Sequence, residues 1–254
     1  RKLNNISYTT KFGGAVGNFN AHIMALPNID WVEFGDKFIN IFGLTRNQYT
    51  TQIDHYDNYC EVFDNLRRIN MILIDLCRDM WSYISRDYFK LRMEKEQVGS
   101  SAMPHKNNPI YFEKAEANLL LSNALLNLFS NTLPVSRMQR DLRDSSLLRN
   151  VGSAFSYMLI SLKSIEIGLK KLDINKKMID EDLDKNHLVI LEGIVARLKL
   201  VNNDNTYNLF KDVARKENSK QEIEKIINNL DIDSDELKYI KTCKPSTFTG
   251  LYKL

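Results

Sequence analysis

The chain of 254 residues is long enough for one large domain or two smaller ones, and its 43% hydrophobic and 26% charged residues are typical of a folded globular protein. Its 35 basic residues are nearly offset by 32 acidic ones spread along the chain, which argues against a nucleic-acid-binding surface and favours a small anionic ligand. Apolar runs are too short for a membrane span, and the ten glycines and five prolines are few enough to favour long helices over a sandwich or barrel.

The cysteines and the N-terminus bear on the cellular compartment. Cys60, Cys77 and Cys243 show no CxxC spacing, so neither a disulfide framework nor a thiolate metal site is indicated. Because the N-terminus lacks a signal-peptide pattern, we expect a cytoplasmic protein. The chain begins at Arg1 rather than at a methionine, and a structured segment follows almost at once, so we also expect it to be part of a longer protein.

Residues 1–50 form the least regular stretch, and their glycine-punctuated turn and Pro27-Asn28 break predict loops and short helices. Between Gly43 and Gly99 there is no glycine or proline. Apolar residues recur there at spacings of three and four, at Val62, Leu66, Ile69, Leu73, Leu76, Met80 and Ile84. This periodicity predicts one long helix with a buried stripe.

Two more long helices are predicted further along the chain. Asn108 followed by Pro109 is typical of a helix start, with the asparagine as N-cap and the proline at the first position, and Pro134 should end that helix. A third helix should begin near Ser145, with a seam at Val151, Phe155, Met158, Leu162, Ile165, Leu169 and Leu172.

The helix pattern predicts an all-α fold in two parts. Residues 1–170 should form a bundle of long helices, and residues 171–254 should form a smaller helical domain. Within the second part, helical stretches are expected near 182–200, 207–215 and 221–229.

A glycine-serine loop between the first two long helices carries reactive side chains. Ser100, Ser101, Lys106 and Asn108 lie just before a predicted helix N-terminus, where free amide groups favour an anion. The loop therefore predicts a carboxylate or phosphate site. An exposed linker with incidental polarity is the alternative interpretation.

A second polar segment surrounds the start of the third helix. Ser145 and Arg149 are four residues apart and should share one helix face near free amides, with Arg140 closing the pocket from the preceding turn. Such a set suits phosphate. The alternative is a charged helix start in which arginines pair with Asp141 and Asp144 at the surface; these interleaved acids also argue against nucleic acid.

These segments resemble a known group of enzymes. The string Gly-Ser-Ser-Ala-Met-Pro-His-Lys-Asn-Asn-Pro over residues 99–109 resembles the signature loop of the fumarase and aspartase superfamily of lyases. Residues 139–150 are similar to the nucleotide-binding segment of the adenylosuccinate lyase family, and residues 12–22 and 49–53 match the same family, in particular its bacterial-type branch.

The resemblance implies the elimination of fumarate from adenylosuccinate and from the succinylated imidazole carboxamide nucleotide of purine synthesis, without cofactor or metal. It implies that Ser100 is the general base, that Lys106 and Asn108 stabilise the developing charge, and that Glu113 pairs with the lysine. The implied substrate contacts are Gln52, Ser101, Lys106, Asn108, Lys114, Arg140, Ser145 and Arg149. Lys114 departs from the asparagine that is common at its position.

The resemblance also implies a homotetramer whose active sites are shared among subunits. The family's general acid is a histidine in an upstream segment that has no counterpart in this sequence, so we expect a C-terminal part that is inactive alone. Two alternatives remain open. Argininosuccinate lyase is disfavoured by the phosphate segment, and a silent scaffold, as in lens crystallins, is disfavoured by the intact Ser100, Lys106 and Asn108.

Overall fold

The structure, a computed structural model, describes residues 3–92, 108–201, 208, 210, 211, 213 and 219–251. The chain divides into two compact units, Arg1–Arg86 with Leu91–Asp173 and Asp87–Lys90 with Ile174–Leu254. The predicted all-α class is confirmed, because long helices dominate and each described strand has only three residues. No described helix is long and apolar enough to cross a membrane.

The first unit opens with short elements. They are strand β1 (Thr9–Lys11), helix α1 (Asn20–Ala25), helix α2 (Trp31–Asn40) and strand β2 (Thr45–Asn47). The two strands pair in parallel, and the buried Arg46 of β2 donates from Nε to the Asp36 carboxylate of α2 at 2.7 Å. The predicted loops and short helices are confirmed here, whereas the strand pair was not predicted.

Three long helices form the bundle of the first unit. Their bounds are α3 (Asp57–Ser85), α4 (Ile110–Thr132) and, after the short α5 (Arg143–Leu148), α6 (Val151–Lys170). The ring of Phe63 near the start of α3 packs against that of Phe129 near the end of α4, and Cys77 further along α3 packs with Ala115 near the start of α4. Helices α3 and α4 are therefore antiparallel.

A buried polar network crosses this bundle at its middle. The fully buried Asn70 donates to Ser122 Oγ at 3.2 Å and to Asn123 Oδ1 at 2.9 Å, and Ser122 donates in turn to the Ala154 carbonyl at 2.9 Å. The network joins α3, α4 and α6. Because a buried polar group without partners is costly, these bonds favour one axial alignment of the three helices.

Helix α6 buries only part of the predicted seam: Ile165 is buried, and Val151 and Met158 pack against buried clusters of the bundle. Phe155, Leu162 and Leu169 are at least 40% exposed. Its buried positions are Ala154, Ser161, Ser164, Ile165 and Gly168. The physical reason is close approach: a Cβ atom at Gly168 would lie 2.8 Å from Phe112 Cζ of α4, so small residues face the neighbouring helix.

The boundaries of the later helices match the predictions in part. Helix α4 runs between the two prolines as predicted, but Pro109 is its N-cap rather than its first residue. The third helix does not begin near Ser145. Helix α5 ends at Leu148, and the Asn150 amide then donates to the Leu147 carbonyl at 2.9 Å in a turn. Helix α6 begins only at Val151.

The remaining strands are β3 (Phe89–Leu91) and β4 (Leu172–Ile174), which form a second two-stranded sheet. The second unit contains helices α7 (Lys176–Lys185), α8 (Leu191–Leu200), α9 (Ser219–Asn228) and α10 (Ser234–Thr242). Its buried core consists of Ile190, Ile194, Leu198, Phe210, Val213, Ile223, Ile227 and Ile240. Three helical stretches were predicted in this unit. The stretch over 182–200 is two helices joined by a tight turn, and the helix over 221–229 is confirmed. The stretch over 207–215 lies mostly outside the described residues, and α10 was not predicted.

Candidate active site

The structure describes only some of the predicted site residues. Ser100, Ser101 and Lys106 lie outside the described residues. The described group nearest to them in sequence stands at the start of α4, where Asn108 is exposed immediately before the Pro109 cap. These assignments therefore remain predictions from the sequence.

Two charged side chains mark the first turns of α4. Glu113 is exposed, and its Oε1 accepts a hydrogen bond from the indole nitrogen of Trp81 on α3 at 3.2 Å. Lys114 is also exposed, and its carbonyl accepts from Asn118 within the same helix. The predicted pairing of Glu113 with Lys106 lies outside the described residues. At this end of α4, the described acidic group is therefore held by an indole from the neighbouring helix.

The segment that carries Gln52 packs against the glycine turn. Gly17 has φ 86°, and a Cβ atom there would meet the Thr50 carbonyl oxygen at 2.1 Å, so only glycine fits. Lys11 donates from Nζ to the Gln52 carbonyl at 2.8 Å and to the Gly14 carbonyl, and burial lowers the pKa of its ammonium group. The backbone of Gln52 is thus fixed, while the residue remains exposed.

A buried carboxylate organises the segment before α5. Asp144 is only 6% exposed, and its Oδ1 accepts the Ser145 amide at 2.8 Å and the Arg140 guanidinium at 3.2 Å from Nη2. Its Oδ2 accepts the Tyr56 hydroxyl at 3.1 Å. Burial, followed by the charge of Asp144, raises the pKa of Tyr56 to about 12, so the tyrosine remains a donor at neutral pH.

The surroundings of Ser145 differ from the predicted phosphate pocket in two respects. The Ser145 amide is already bound by Asp144, and its hydroxyl donates to the Leu142 carbonyl at 2.9 Å. The residue lies in the six-residue α5, and Arg149 is the C-cap of that helix instead of a residue on the long third helix. Arg149 is exposed and makes no ion pair with any described residue, so its charge is available to a ligand.

Sequence reasoning did not single out Asp144 and Tyr56, whose contact lies beside Arg140 and Ser145. Asp144 was considered only as a surface partner for an arginine, and Tyr56 was not considered. Their contact joins positions 88 residues apart. The available signal was weak: an acid four residues after Arg140 and a large aromatic residue directly before a long helix.

The predicted site residues do not converge within one chain. Asn108, Glu113 and Lys114 stand at the start of α4, whereas Arg140 and Asp144 follow its end. Helix α4 has 23 residues and is roughly 33 Å long at 1.5 Å per residue, so the two groups lie near opposite ends of a long helix. The Gln52 segment belongs to the second group, because Ile53 lines a small crevice together with Leu133 and Asp144. No single substrate could touch both groups of one chain.

The described histidines show no arrangement for metal binding. The imidazole ring of His22 lies edge-on to Trp31, with centroids 4.8 Å apart, and its Nδ1 is buried without a described partner. His55 Nδ1 is 3.7 Å from Asp54 Oδ1. Within the described ranges, no group of three His, Cys, Asp or Glu side chains could hold a metal ion.

Two family models match adjoining parts of the chain. The model described as "Adenylosuccinate lyase C-terminal" matches residues 136–249, and the model described as "Lyase" matches residues 1–123. The first match contains Arg140, Ser145 and Arg149. The second contains the remaining predicted site residues, from Gln52 to Lys114.

Individual proteins match over almost the whole chain. An adenylosuccinate lyase of Dictyostelium discoideum is 45% identical over 252 residues, which are 97% of this chain and 54% of the relative. An adenylosuccinate lyase of Legionella pneumophila strain Corby is 46% identical over 252 residues, covering 99% of this chain and 55% of the relative. The chain therefore spans little more than half the length of these relatives.

A solved structure shares the fold at much lower sequence identity. The 3-carboxy-cis,cis-muconate lactonizing enzyme from Pseudomonas putida matches with a TM-score of 0.70 and 17% identity, covering 95% of this chain and 55% of that chain. At this identity the match shows the fold alone.

Proposed function

Because this chain belongs to the adenylosuccinate lyase family, we propose that it supplies active-site residues for the elimination of fumarate from adenylosuccinate, with AMP as the other product. The same reaction on the succinylated imidazole carboxamide nucleotide would release fumarate and the imidazole carboxamide nucleotide. The observation that carries the proposal is the identity of 45% and 46% to proteins of that name over nearly the whole chain.

The proposed chemistry is a proton removal followed by loss of the nitrogen. Ser100 takes the proton from the carbon beside a carboxylate, and Lys106 and Asn108 stabilise the doubly charged carboxylate that develops. The carbon-nitrogen bond then breaks, its electron pair leaves with the nitrogen, and a general acid protonates that nitrogen. An isolated serine is a weak base, so this role needs nearby donors and positive charge.

The proposed nucleotide contacts lie at the opposite end of α4. Arg140 and Arg149 would bind the phosphate, with Ser145 beside them. The surroundings of Arg149 support this, because it is exposed and makes no ion pair with a described residue. Gln52 would contact the substrate from the segment that the glycine turn fixes. Lys114 is proposed as a substrate contact at the start of α4.

The separation of the two groups supports sites shared between copies of the chain. A substrate that meets Asn108 and Arg140 together must take them from different copies, because helix α4, roughly 33 Å long, lies between them within one chain. Apolar side chains on the bundle helices are also left exposed, including Ile72, Leu120, Leu121, Leu159 and Leu162. A homotetramer would bury such faces.

A cytoplasmic location is part of the same proposal. The three cysteines are free thiols, which suits a reducing compartment. Burial raises the pKa of both Cys60 and Cys77 to about 11, so these thiols are poorly suited to disulfide chemistry.

The test measures fumarate release by the complete protein. Adenylosuccinate should be cleaved and argininosuccinate should not, since the latter has no phosphate for Arg140 and Arg149 to bind. Ser100→Ala should lower kcat by roughly three orders of magnitude, as expected for loss of a general base. Ser101→Ala, the neighbouring control, should lower it far less. Cleavage of argininosuccinate, or an Ser100→Ala variant of full activity, would contradict the proposal.

A further inference from the structure

We infer that Asp144, held in place by Tyr56, is a positioning residue that orients the Arg140 guanidinium for the phosphate of the nucleotide. The inference rests on the proposed function, because it takes Arg140 as a phosphate contact. It goes beyond that proposal by assigning a task to two residues that the substrate itself does not touch.

Asp144 is a buried carboxylate with partners on both oxygens. A carboxylate that is 6% exposed is costly unless it is paired, and this one is paired on both oxygens. Oδ1 accepts from Arg140 through Nη2 at 3.2 Å and through Nε at 3.4 Å, and from the Ser145 amide at 2.8 Å. Nε and Nη2 of the guanidinium thus face a fixed anion.

Arg140 keeps one nitrogen of its guanidinium group available for a ligand. Nε and Nη2 are engaged by Asp144, whereas Nη1 has no hydrogen-bond partner in the described part of the chain. The Arg140 side chain is 27% exposed, against 7% for its partner Asp144. The guanidinium is therefore anchored on its buried side and open on the other, which is the arrangement that can bind a phosphate oxygen without reorganisation.

Tyr56 has an unusual backbone conformation. Its φ is 60°, in the left-handed region that large side chains rarely adopt, at the residue directly before α3. In this conformation the Tyr56 ring packs against the buried cluster that includes Phe63 and Phe129, and its hydroxyl donates to Asp144 Oδ2. A strained backbone that delivers one hydroxyl to a buried carboxylate indicates that the contact has a function.

The inference makes a selective prediction about ligand binding. In the complete protein, Asp144→Asn keeps an acceptor but removes the charge, and charge-assisted hydrogen bonds are about twice as strong as neutral ones. We expect the inhibition constant for AMP to rise roughly ten-fold, and more for Asp144→Leu, which has no acceptor. The inhibition constant for fumarate, which carries no phosphate, should stay unchanged.

Two controls separate positioning from a general structural role. Asp141→Asn removes an acid of the same segment that binds Arg143 and Arg137 instead of Arg140, so it should leave the AMP constant near the wild-type value. In an Arg140→Gln background, Asp144→Asn should have no further effect on AMP binding, because the residue acts through Arg140.

The outcomes distinguish this inference from the proposed function. A wild-type protein that binds no AMP overturns both. If wild type binds AMP but Asp144→Asn leaves its affinity unchanged, weakens AMP and fumarate equally, or adds fully to Arg140→Gln, only the positioning role is overturned. Should Asp144→Leu fail to fold, the milder Asp144→Asn still decides between these results.

Discussion

The two ends of helix α4 differ in how the chain holds its charged side chains. After the end of the helix, Asp144 is buried and gathers Tyr56, Arg140 and a backbone amide around one carboxylate. At the start of the helix, Glu113 and Lys114 are exposed, and the glutamate accepts one hydrogen bond from Trp81. One end is thus organised around a buried carboxylate of the same chain, while the other presents its charges at the surface.

This difference indicates a division of labour. The preorganised end suits a fixed, doubly charged group such as a phosphate, which every substrate of the proposed reaction carries. The exposed end adjoins the loop to which the proton transfer is assigned. Because the ends cannot meet within one chain, each active site should combine the start of α4 from one copy with the Arg140 cluster from another.

The largest expected effect is restored activity in mixed assemblies. Ser100→Ala and Arg140→Gln proteins should each have little activity, but after mild dissociation and reassembly together they should recover fumarate release well above either parent. Some mixed sites would then combine an intact loop from one copy with an intact Arg140 from the other.

A matched pair of variants provides the control for this experiment. Ser100→Ala and Lys106→Gln alter the same loop, so every mixed site would still contain one defect. That mixture should show no recovery. Equal recovery in both mixtures, or none in either, would contradict the division between the two ends of α4.

A second prediction compares how tightly α6 packs beside each end of α4. Gly168→Ala places a methyl group 2.8 Å from the Phe112 ring near the start of α4, so we expect a loss of about 1–3 kcal/mol in the free energy of unfolding. Gly152→Ala, in the first turn of the same helix, meets no atom within 4 Å and should be neutral or stabilising by up to about 1 kcal/mol.

Urea unfolding of the complete protein measures both changes. Similar losses from Gly168→Ala and Gly152→Ala would show that helix-wide effects, instead of the contact with Phe112, determine the cost. A neutral Gly168→Ala would show that the α4–α6 contact near Phe112 can widen without loss of stability.

The helices of the bundle could be predicted because their signals are local. Prolines at 109 and 134 bound α4, and the three-and-four spacing of apolar residues identified α3. The buried face of α6 was predicted only in part, because the exposed Phe155 and Leu162 are as apolar as the buried Ile165. Only the three-dimensional fold shows that small residues meet α4 and leave the larger ones exposed.

The candidate site shows the same limit. The resemblance identified Arg140, Ser145 and Arg149 from a continuous segment, but it could not show that Asp144 already occupies the Ser145 amide. The bond from Tyr56 depends on how the start of α3 meets the segment after α4, and no local pattern records that. Whether a charged residue is buried depends on partners distant in sequence. The local sequence therefore favoured a surface position for Asp144.

The smallest expected effect is a loss of stability at high pH that depends on Tyr56, the hydrogen-bond donor to Asp144. The pKa of Tyr56 is raised to about 12 in the folded protein, above the ordinary value of 10, so the folded state holds this proton more tightly than the unfolded state. Its contribution to stability is complete below pH 10 and is lost as the pH rises towards 12.

Urea midpoints measured at a series of pH values test this contribution. Tyr56→Phe should make the fall in unfolding free energy between about pH 10 and 12 shallower by about 1 kcal/mol, a value reduced because the residue is partly exposed. Tyr59→Phe alters the neighbouring tyrosine, whose ring lies 5.9 Å from that of Tyr56, and should follow the wild-type curve. If the Tyr56→Phe curve also runs parallel to that of wild type, the pKa of Tyr56 is not raised by its contact with Asp144. The hydrogen bond between the two residues is then weaker than its length of 3.1 Å implies.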